Sequence, residues 1–495
     1  MRRCVALLLA AVMLCLCAAA TAEGFVMAGY DDESTGRNWE TNLFFERMEA
    51  LTGLDFTYQQ HGSREDWNQA KQQMLAGGDM PDVLFKAEMT VSETRALYEA
   101  GKIIDLKPYL AEHMPNLSAL LAEHPAWERA ITLEDGAIPA LPMINELQNN
   151  NVMWINGQWL ETLGLAMPTT AEELTEVLRA FRDKDPNGNG KKDEIPVCFM
   201  GMWDLRFLGH AFGLVANDYY VYQDEAGQVQ SILTKEENRA FLTWLNQLWE
   251  EKLLSHNGFT TADSLRMITD KDAKMTYGLF FGPTPLSLIP TAALEQYVCL
   301  TPMTYEGKQI YRDTLGDVTR GAFAVTSSCA DPAAMLRWAD LLYGEVGCML
   351  AQAGEENTEY ARNADGSWYW ISAPEEVTAY VMPQVTIADG GTMPGYVSMD
   401  FQLSFDDAAT IRVVKQLAAF DAYCVEPVPM VVLEEDLRAR LNEAHNAVAS
   451  YAEVAMIRFV TGEVPLNDDT WNTFCQTVTE LGHGQVVSIW QDAIK

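Results

Sequence analysis

The stretch "LDFTYQQHGSREDWNQAKQQMLAGGDMPDVLF", residues 54–85, decides the fold class. Its opening alternates apolar with polar residues, as a half-buried strand does, and its close, led by Pro81, is the short apolar run of a buried strand. Between them "REDWNQAKQQML" reads as a helix, which Gly77 and Gly78 stop. Working outward, "GFVMAG" (24–29) reads as another buried strand and "NLFFERMEALTG" (42–53) as a helix ending in glycine. Strand, helix, strand, helix, strand predicts an α/β fold, a parallel sheet covered by helices.

The pattern begins again after residue 150. "NVMWIN" (151–156) reads as a strand, and Thr170 with Glu173 predicts a capping box for a helix that carries Leu174, Val177, Leu178 and Phe181 on one face. Two α/β lobes follow, each a mostly parallel sheet flanked by helices. The last third reads as mainly helical, with Trp471, Phe474, Val478 and Leu481 at helical spacing behind a cap in 468–470; such a stripe is core packing. There is no internal repeat, low-complexity tract or long polar linker.

Arg2 and Arg3 precede an apolar run from Val5 to Ala20, and Ala20 and Ala22 sit at the small positions of an A-x-A cleavage site. Residues 1–22 therefore read as a secretory signal, with the exported chain beginning at Glu23. Cys15 and Cys17 leave lipid anchoring as an alternative, although Leu14 and Leu16 stand where a small residue is wanted. No later segment offers the roughly 18 to 20 apolar residues of a membrane span. The remaining length exceeds one core and suggests two or three domains. Thirty-four basic against 70 acidic residues give a net charge of −36, which repels nucleic acid and anionic lipid and makes a neutral ligand the default. Cys198, Cys299, Cys329, Cys348, Cys424 and Cys475 lack C-x-x-C spacing, so they read mostly as buried apolar residues, with one or two bridges open to an exported protein.

In "RDKDPNGNGKKDEIPV" (182–197) Asp or Asn recurs at alternate positions with glycines between. Calcium takes six to eight oxygen ligands, and a loop turning around an ion presents alternate residues inward. The predicted set is Asp185, Asn187, Asn189, Lys191 through its carbonyl, Asp193 and Glu194. A register starting at Asp183 also fits a 12-residue EF-hand loop, and a solvated Asp/Asn/Gly turn is the plain alternative. No EF-hand second helix follows, because "IPVCFMG" reads as a strand; the ion is expected to be a staple rather than a switch. Elsewhere the seven histidines are scattered, and no nucleophile elbow, phosphate loop or dinucleotide fingerprint occurs. Among the 13 tryptophans, Trp67, Trp154, Trp203, Trp368 and Trp370 lie in loops or near element ends, where flat rings stack on sugars, though for each one alone burial in a core is the simpler reading.

Together "MLAGGDMPDVLF", "GKIIDLKPYLAEHMPNL", the run from Met153 to Val197 and the tail "VTGEVPLNDDTWNTFCQTVTELG" resemble extracellular solute-binding protein family 1, the receptors of carbohydrate ABC importers, and within it the alginate-oligosaccharide-binding and LipO-type lipoprotein branch. The resemblance implies a two-lobed, type II periplasmic-binding-protein-like fold. It places residues 23–146 with about 312–372 in the first lobe, and 147–311 with about 373–495 in the second, which includes the helical tail. It implies the same loop ligands for calcium. It further implies a monomeric receptor without catalytic residues, secreted or periplasmic, which closes on an oligosaccharide and delivers it to permease subunits. Trp67, Trp203 and Trp370, with Phe85 at its strand end, are the expected stacking platforms, and Arg320 before "GAFAVT" is a candidate hydroxyl donor, with a surface salt bridge as the plainer reading of it. A sugar sensor or scavenger without transport, and a secreted glycosidase or lyase, are the rival readings.

Overall fold

The computed structural model describes residues 24–147, 151–260, 276–286, 288–313, 318–388, 392–429, 431, 433 and 435–494. The proposed signal and its cysteines lie outside the described residues.

Among the described residues, ten strands build two main sheets: β1 Phe25–Tyr30, β2 Phe56–His61, β3 Val83–Phe85, β4 Leu141–Asn145, β5 Val152–Asn156, β6 Ile195–Val197, β7 Tyr277–Gly282, β8 Tyr297–Cys299, β9 Val318–Val325 and β10 Gly395–Val397. The first sheet has the order β10-β4-β9-β3-β1-β2. Its β1 pairs in parallel with β2 and β3, as the opening stretch predicts, and β10 pairs in parallel with β4. The long β9 runs antiparallel between β3 and β4. The second sheet has the order β8-β5-β7-β6. There only β6 and β7 are parallel, while β5 is antiparallel to both neighbours. The expectation of two mostly parallel sheets holds for the first and not for the second, because the chain enters the second lobe from the far end of β4 and β5 must run back.

The helices form where the sequence marks them. Asn42 caps Leu43–Thr52 and Gly53 ends it in the left-handed region at φ 71°. Ser63 caps Arg64–Leu75. Thr170 caps Ala171–Asp183 by accepting the Glu173 N–H, but the Glu173 carboxylate accepts from Thr169 rather than closing a box on Thr170. The C-terminal third is helical, including Glu435–Val460 and Asp468–Glu480. In the latter, Trp471, Phe474 and Val478 are buried and Leu481 packs beside them.

Each sheet has its own apolar core. Phe44, Phe45, Phe85, Trp39 and Trp338 interlock in one, and Trp154, Trp159, Phe181, Phe241 and Phe474 belong to the other. β10 pairs with β4 at the edge of the first sheet, and Phe401 packs beside its Val397. The helix Ala408–Asp421 then packs in the second core through Val413, Val414, Leu417 and Phe420. Of the six cysteines, Cys198, Cys329 and Cys348 are buried and the other three half-buried, and the bridges left open by the sequence do not form among the described residues. No described helix is long and apolar enough to cross a membrane.

Candidate functional site

Strand directions locate the site. In the first sheet β1, β3, β4 and β10 end on one edge, and β9, running the other way, begins there. In the second sheet β6, β7 and β8 end on one edge, and β5 begins there. The chain passes from the end of β4 to the start of β5, from Arg312 to the start of β9, and from the end of β10 to the helix at Ala408. The two carboxyl edges are therefore joined to each other, and ligands of open α/β sheets bind in the crevice outside such edges.

At the first edge the residues after β1 and β3 come together. Asp31, fully buried, takes Lys86 Nζ at 2.8 Å, Arg37 Nη1 at 3.4 Å and the Trp39 indole N–H at 3.2 Å. Beside it Asp32 accepts from the Tyr30 hydroxyl at 2.8 Å and from Ser34, whose bonds hold the Asp32 carboxyl below its ordinary value. Burial and the Asp32 contact push Tyr30 up to about 12. Arg64 lies over the Tyr30 ring and grips Glu88 with bonds of 2.8 and 2.9 Å. After β4, Glu146 accepts from the Tyr396 hydroxyl at 2.8 Å and from the Met399 N–H at 2.6 Å. Early in β9, Arg320 donates its Nε to the Ala130 carbonyl, its Nη2 is buried without an acceptor, and burial lowers its pKa against the pull of Glu426. Gly321 follows at φ 69°, where a Cβ would stand 2.1 Å from the Met89 carbonyl oxygen; only glycine allows this bulge.

At the second edge β6 runs into the short helix Gly201–Leu205. Trp203 on it is 40 % exposed, with the Arg206 and Arg312 guanidinium carbons 4.6 and 5.4 Å from its ring centroid. Both arginines bond to Asp218. Asp204, buried, accepts from Met200 N at 2.7 Å and from Asn151 Nδ2 at 3.0 Å, and burial raises it to about 6. The Tyr311 hydroxyl holds the Asn151 carbonyl at 2.8 Å, so the residue entering the second lobe is fixed from two sides. Arg312 belongs to a two-stranded parallel pair with Cys424–Val425, which leads to Glu426 and back toward Arg320. The apolar cavity behind Arg206, between Phe207 and Phe241, has about 30 Å³, room for roughly one water rather than a sugar.

The expected platforms divide. Trp203 and Arg320 stand at the paired edges. Trp67 does not: it is fully buried, its indole N–H bonded to the Ala87 carbonyl at 2.6 Å. Phe85 is fully buried between Trp39, Phe45 and Trp338. Trp370 leans edge-on against Trp368 and packs on Val377, Val381 and Val385. Asp31, Asp32, Arg64, Glu88 and Glu146 are edge residues that the sequence reading missed, although Asp31, Asp32, Lys86 and Glu88 directly follow readable strands.

The oxygen-rich loop joins the helix Ala171–Asp183 to the start of β6, on the edge of the second sheet opposite Trp203. Asp185, Gly188 and Gly190 take φ of 47°, 66° and 75°. Asp185 Oδ1 and Oδ2 accept from the Asn189 and Gly190 N–H groups, and Asn189 Oδ1 accepts from the Lys191 N–H. The amide nitrogens of Asn187 and Asn189 face Asp193 at 3.4 and 2.9 Å; half a turn of either amide puts oxygen there instead. Asp183 faces Arg182 with bonds of 2.8 Å. No three His, Cys, Asp or Glu side chains among the described residues converge tightly enough to hold a metal by themselves. The loop nevertheless fits a hard cation: both Glu194 carboxyl oxygens are buried with no hydrogen-bond partner, and burial with the nearby Asp185 and Asp193 raises its pKa. Buried carboxylate oxygens demand a partner, and an oxygen-coordinated cation is one.

No family model matches the chain. It is 31 % identical over 250 residues to the fructooligosaccharide ABC transporter substrate-binding protein FusA of Streptococcus pneumoniae, covering 48 % of this chain and 46 % of that one. It is 30 % identical over 201 residues to Lipoprotein LipO of Bacillus subtilis, covering 39 % and 37 %. The matched stretches thus span less than half the length of these curated relatives. Among solved structures, the human-milk-oligosaccharide (HMO) binding solute-binding protein of Bifidobacterium longum infantis superposes with a TM-score of 0.79 at 21 % identity over 95 % of this chain and 99 % of that one. An EF-hand mutant of FusA in complex with fructo-nystose gives 0.72 at 21 % identity over 95 % and 98 %. Alginate-binding protein AlgQ2 without calcium ion gives 0.66 at 18 % over 96 % and 99 %. The fold is that of the two-lobed extracellular solute-binding proteins, with a helical C-terminal region.

Proposed function

We propose that this protein is the extracellular receptor of a carbohydrate ABC importer, which captures an oligosaccharide between its carboxyl edges and hands it to the permease. The observation that carries this reading is the pairing of the two edges, with the half-open Trp203 ring and its arginines on one and the carboxylates of Asp32, Glu88 and Glu146 on the other. A flat ring stacks on the apolar face of a sugar while carboxylates and guanidinium groups bond its hydroxyls. The names of the two relatives and the near full-length fold agreement support it. On this reading the lobes are 24–147 with 318–405, and 151–313 with 406–494. They close about the three passages between edges, and the differential affinity of the closed state gives selectivity. Export, a monomeric state and permease partnership belong to the same proposal.

Calcium is assigned to the loop, held by Asp185, Asn187, Asn189, the Lys191 carbonyl, Asp193 and Glu194. When bound it supplies charge neutralisation for three carboxylates, and the residues fix the end of one helix to the start of β6. The test of function is a thermal-shift screen of the purified protein against oligosaccharides, peptides and polyamines, with recovery of the bound compound. A sugar at about 100 times its dissociation constant adds roughly 2.7 kcal/mol and is recovered unchanged. Recovery of a cleaved product would make the protein an enzyme, and a response to peptide or polyamine alone would end the carbohydrate reading.

A further inference from the structure

We propose that the cleft selects an uncharged glycan and turns away uronic-acid oligomers, an inference that rests on the carbohydrate reading and adds the charge class of its substrate. Each of the six cations described at the carboxyl edges already faces a protein acceptor. Arg37 and Lys86 face Asp31, Arg64 is bidentate on Glu88, Arg206 and Arg312 share Asp218, and Arg320 donates to the Ala130 carbonyl. A sugar carboxylate gains its main affinity from a guanidinium fork; here protein carboxylates face five of the six cations, and Arg320 alone, bonded through Nε to a backbone carbonyl, keeps a buried Nη2 without an acceptor.

The carboxylates are engaged differently. Asp32 accepts from Tyr30 and Ser34, and Glu146 from a tyrosine hydroxyl and a backbone N–H, all neutral donors. A carboxylate offers about four lone-pair positions, so both keep acceptor capacity for incoming hydroxyls. A neutral sugar meets charge-assisted bonds at these groups, whereas a uronate meets like charge, and the protein's net −36 adds to the repulsion on approach.

The test is calorimetry of the purified protein in excess calcium with three probes of equal length: a neutral hexose oligosaccharide series, oligogalacturonate, and the same oligogalacturonate methyl-esterified. The expected result is binding of a neutral member at least about tenfold tighter than the acid, with the ester no weaker than the acid. An acid bound more tightly than its own ester overturns the proposal while leaving the carbohydrate receptor intact. Binding of no glycan of any charge removes both. Asp218→Asn, which removes the carboxylate that Arg206 and Arg312 share, is expected to narrow the neutral-to-acid ratio; a ratio that does not move refutes the occupied fork as its cause.

Discussion

Two tryptophans of the same chain separate structure from function. Trp67 is enclosed and hydrogen-bonded, so Trp67→Ala creates a large cavity and is expected to cost about 3–5 kcal/mol in denaturant unfolding. Trp203→Ala removes a half-exposed ring and is expected to weaken sugar binding about tenfold while shifting the melting point far less. Nothing in the sequence distinguishes the two, because an indole that fills a core and one that floors a cleft obey the same spacing. What was readable was position: the residues directly after β1 and β3 are edge residues once those strands are recognised, and Asp31, Asp32, Lys86 and Glu88 follow from that rule alone. Asp204 carries a pH signature. Its carboxyl sits at about 6 in the folded protein against 3.8 ordinarily, so the native state holds a proton across that window that the unfolded chain has released. That stabilisation is complete below pH 3.8 and is lost as pH rises through 6. Asp204→Asn, neutral throughout, is expected to gain on the wild type by about 2–3 kcal/mol between pH 4 and pH 8 in paired thermal melts; an unchanged difference would refute the raised carboxyl.

At the scale of elements, the oxygen-rich loop was legible as a turn because its Asp, Asn and Gly pattern is written in consecutive residues, with Gly188 and Gly190 where φ turns positive. Its burial was not legible, and burial makes the sharper prediction. In chelator the unpartnered Glu194 carboxylate opposes folding, so Glu194→Gln should raise the melting temperature there and abolish the rise on adding calcium. The raised Glu194 pKa has the same sign as that of Asp204: the metal-free protein gains stability as pH falls through the folded value and loses it as pH rises. A variant that still responds fully to calcium would take Glu194 out of the site. Helices were legible from caps and periodicity, whereas the partner of a three-residue strand was not. Gly395–Val397 pairs with Met143–Asn145 about 250 residues earlier, and no local pattern encodes such a partner.

For the whole molecule, the decisive geometry is that the loop and the proposed cleft lie on opposite edges of one sheet. β6 starts beside the loop at Ile195 and delivers the chain to Gly201 and Trp203, so a short strand and a turn separate the proposed ion ligands from the proposed platform. A strand of three residues spans roughly 10 Å, too far for an ion to touch a sugar stacked on Trp203 yet close enough for a loosened loop to be felt through β6. The second core packs on Val197 of the same strand and on Cys198 just after it, both fully buried, which resists transmission of small displacements. Chelation is therefore expected to lower the melting temperature by several degrees while leaving the 25 °C affinity for a neutral oligosaccharide within about threefold, measured by calorimetry on protein whose circular dichroism is unchanged. Affinity that collapses while the fold persists would mean that the ion sets the shape of the cleft, and the loop would then be part of the receptor's switch rather than a fastening behind it.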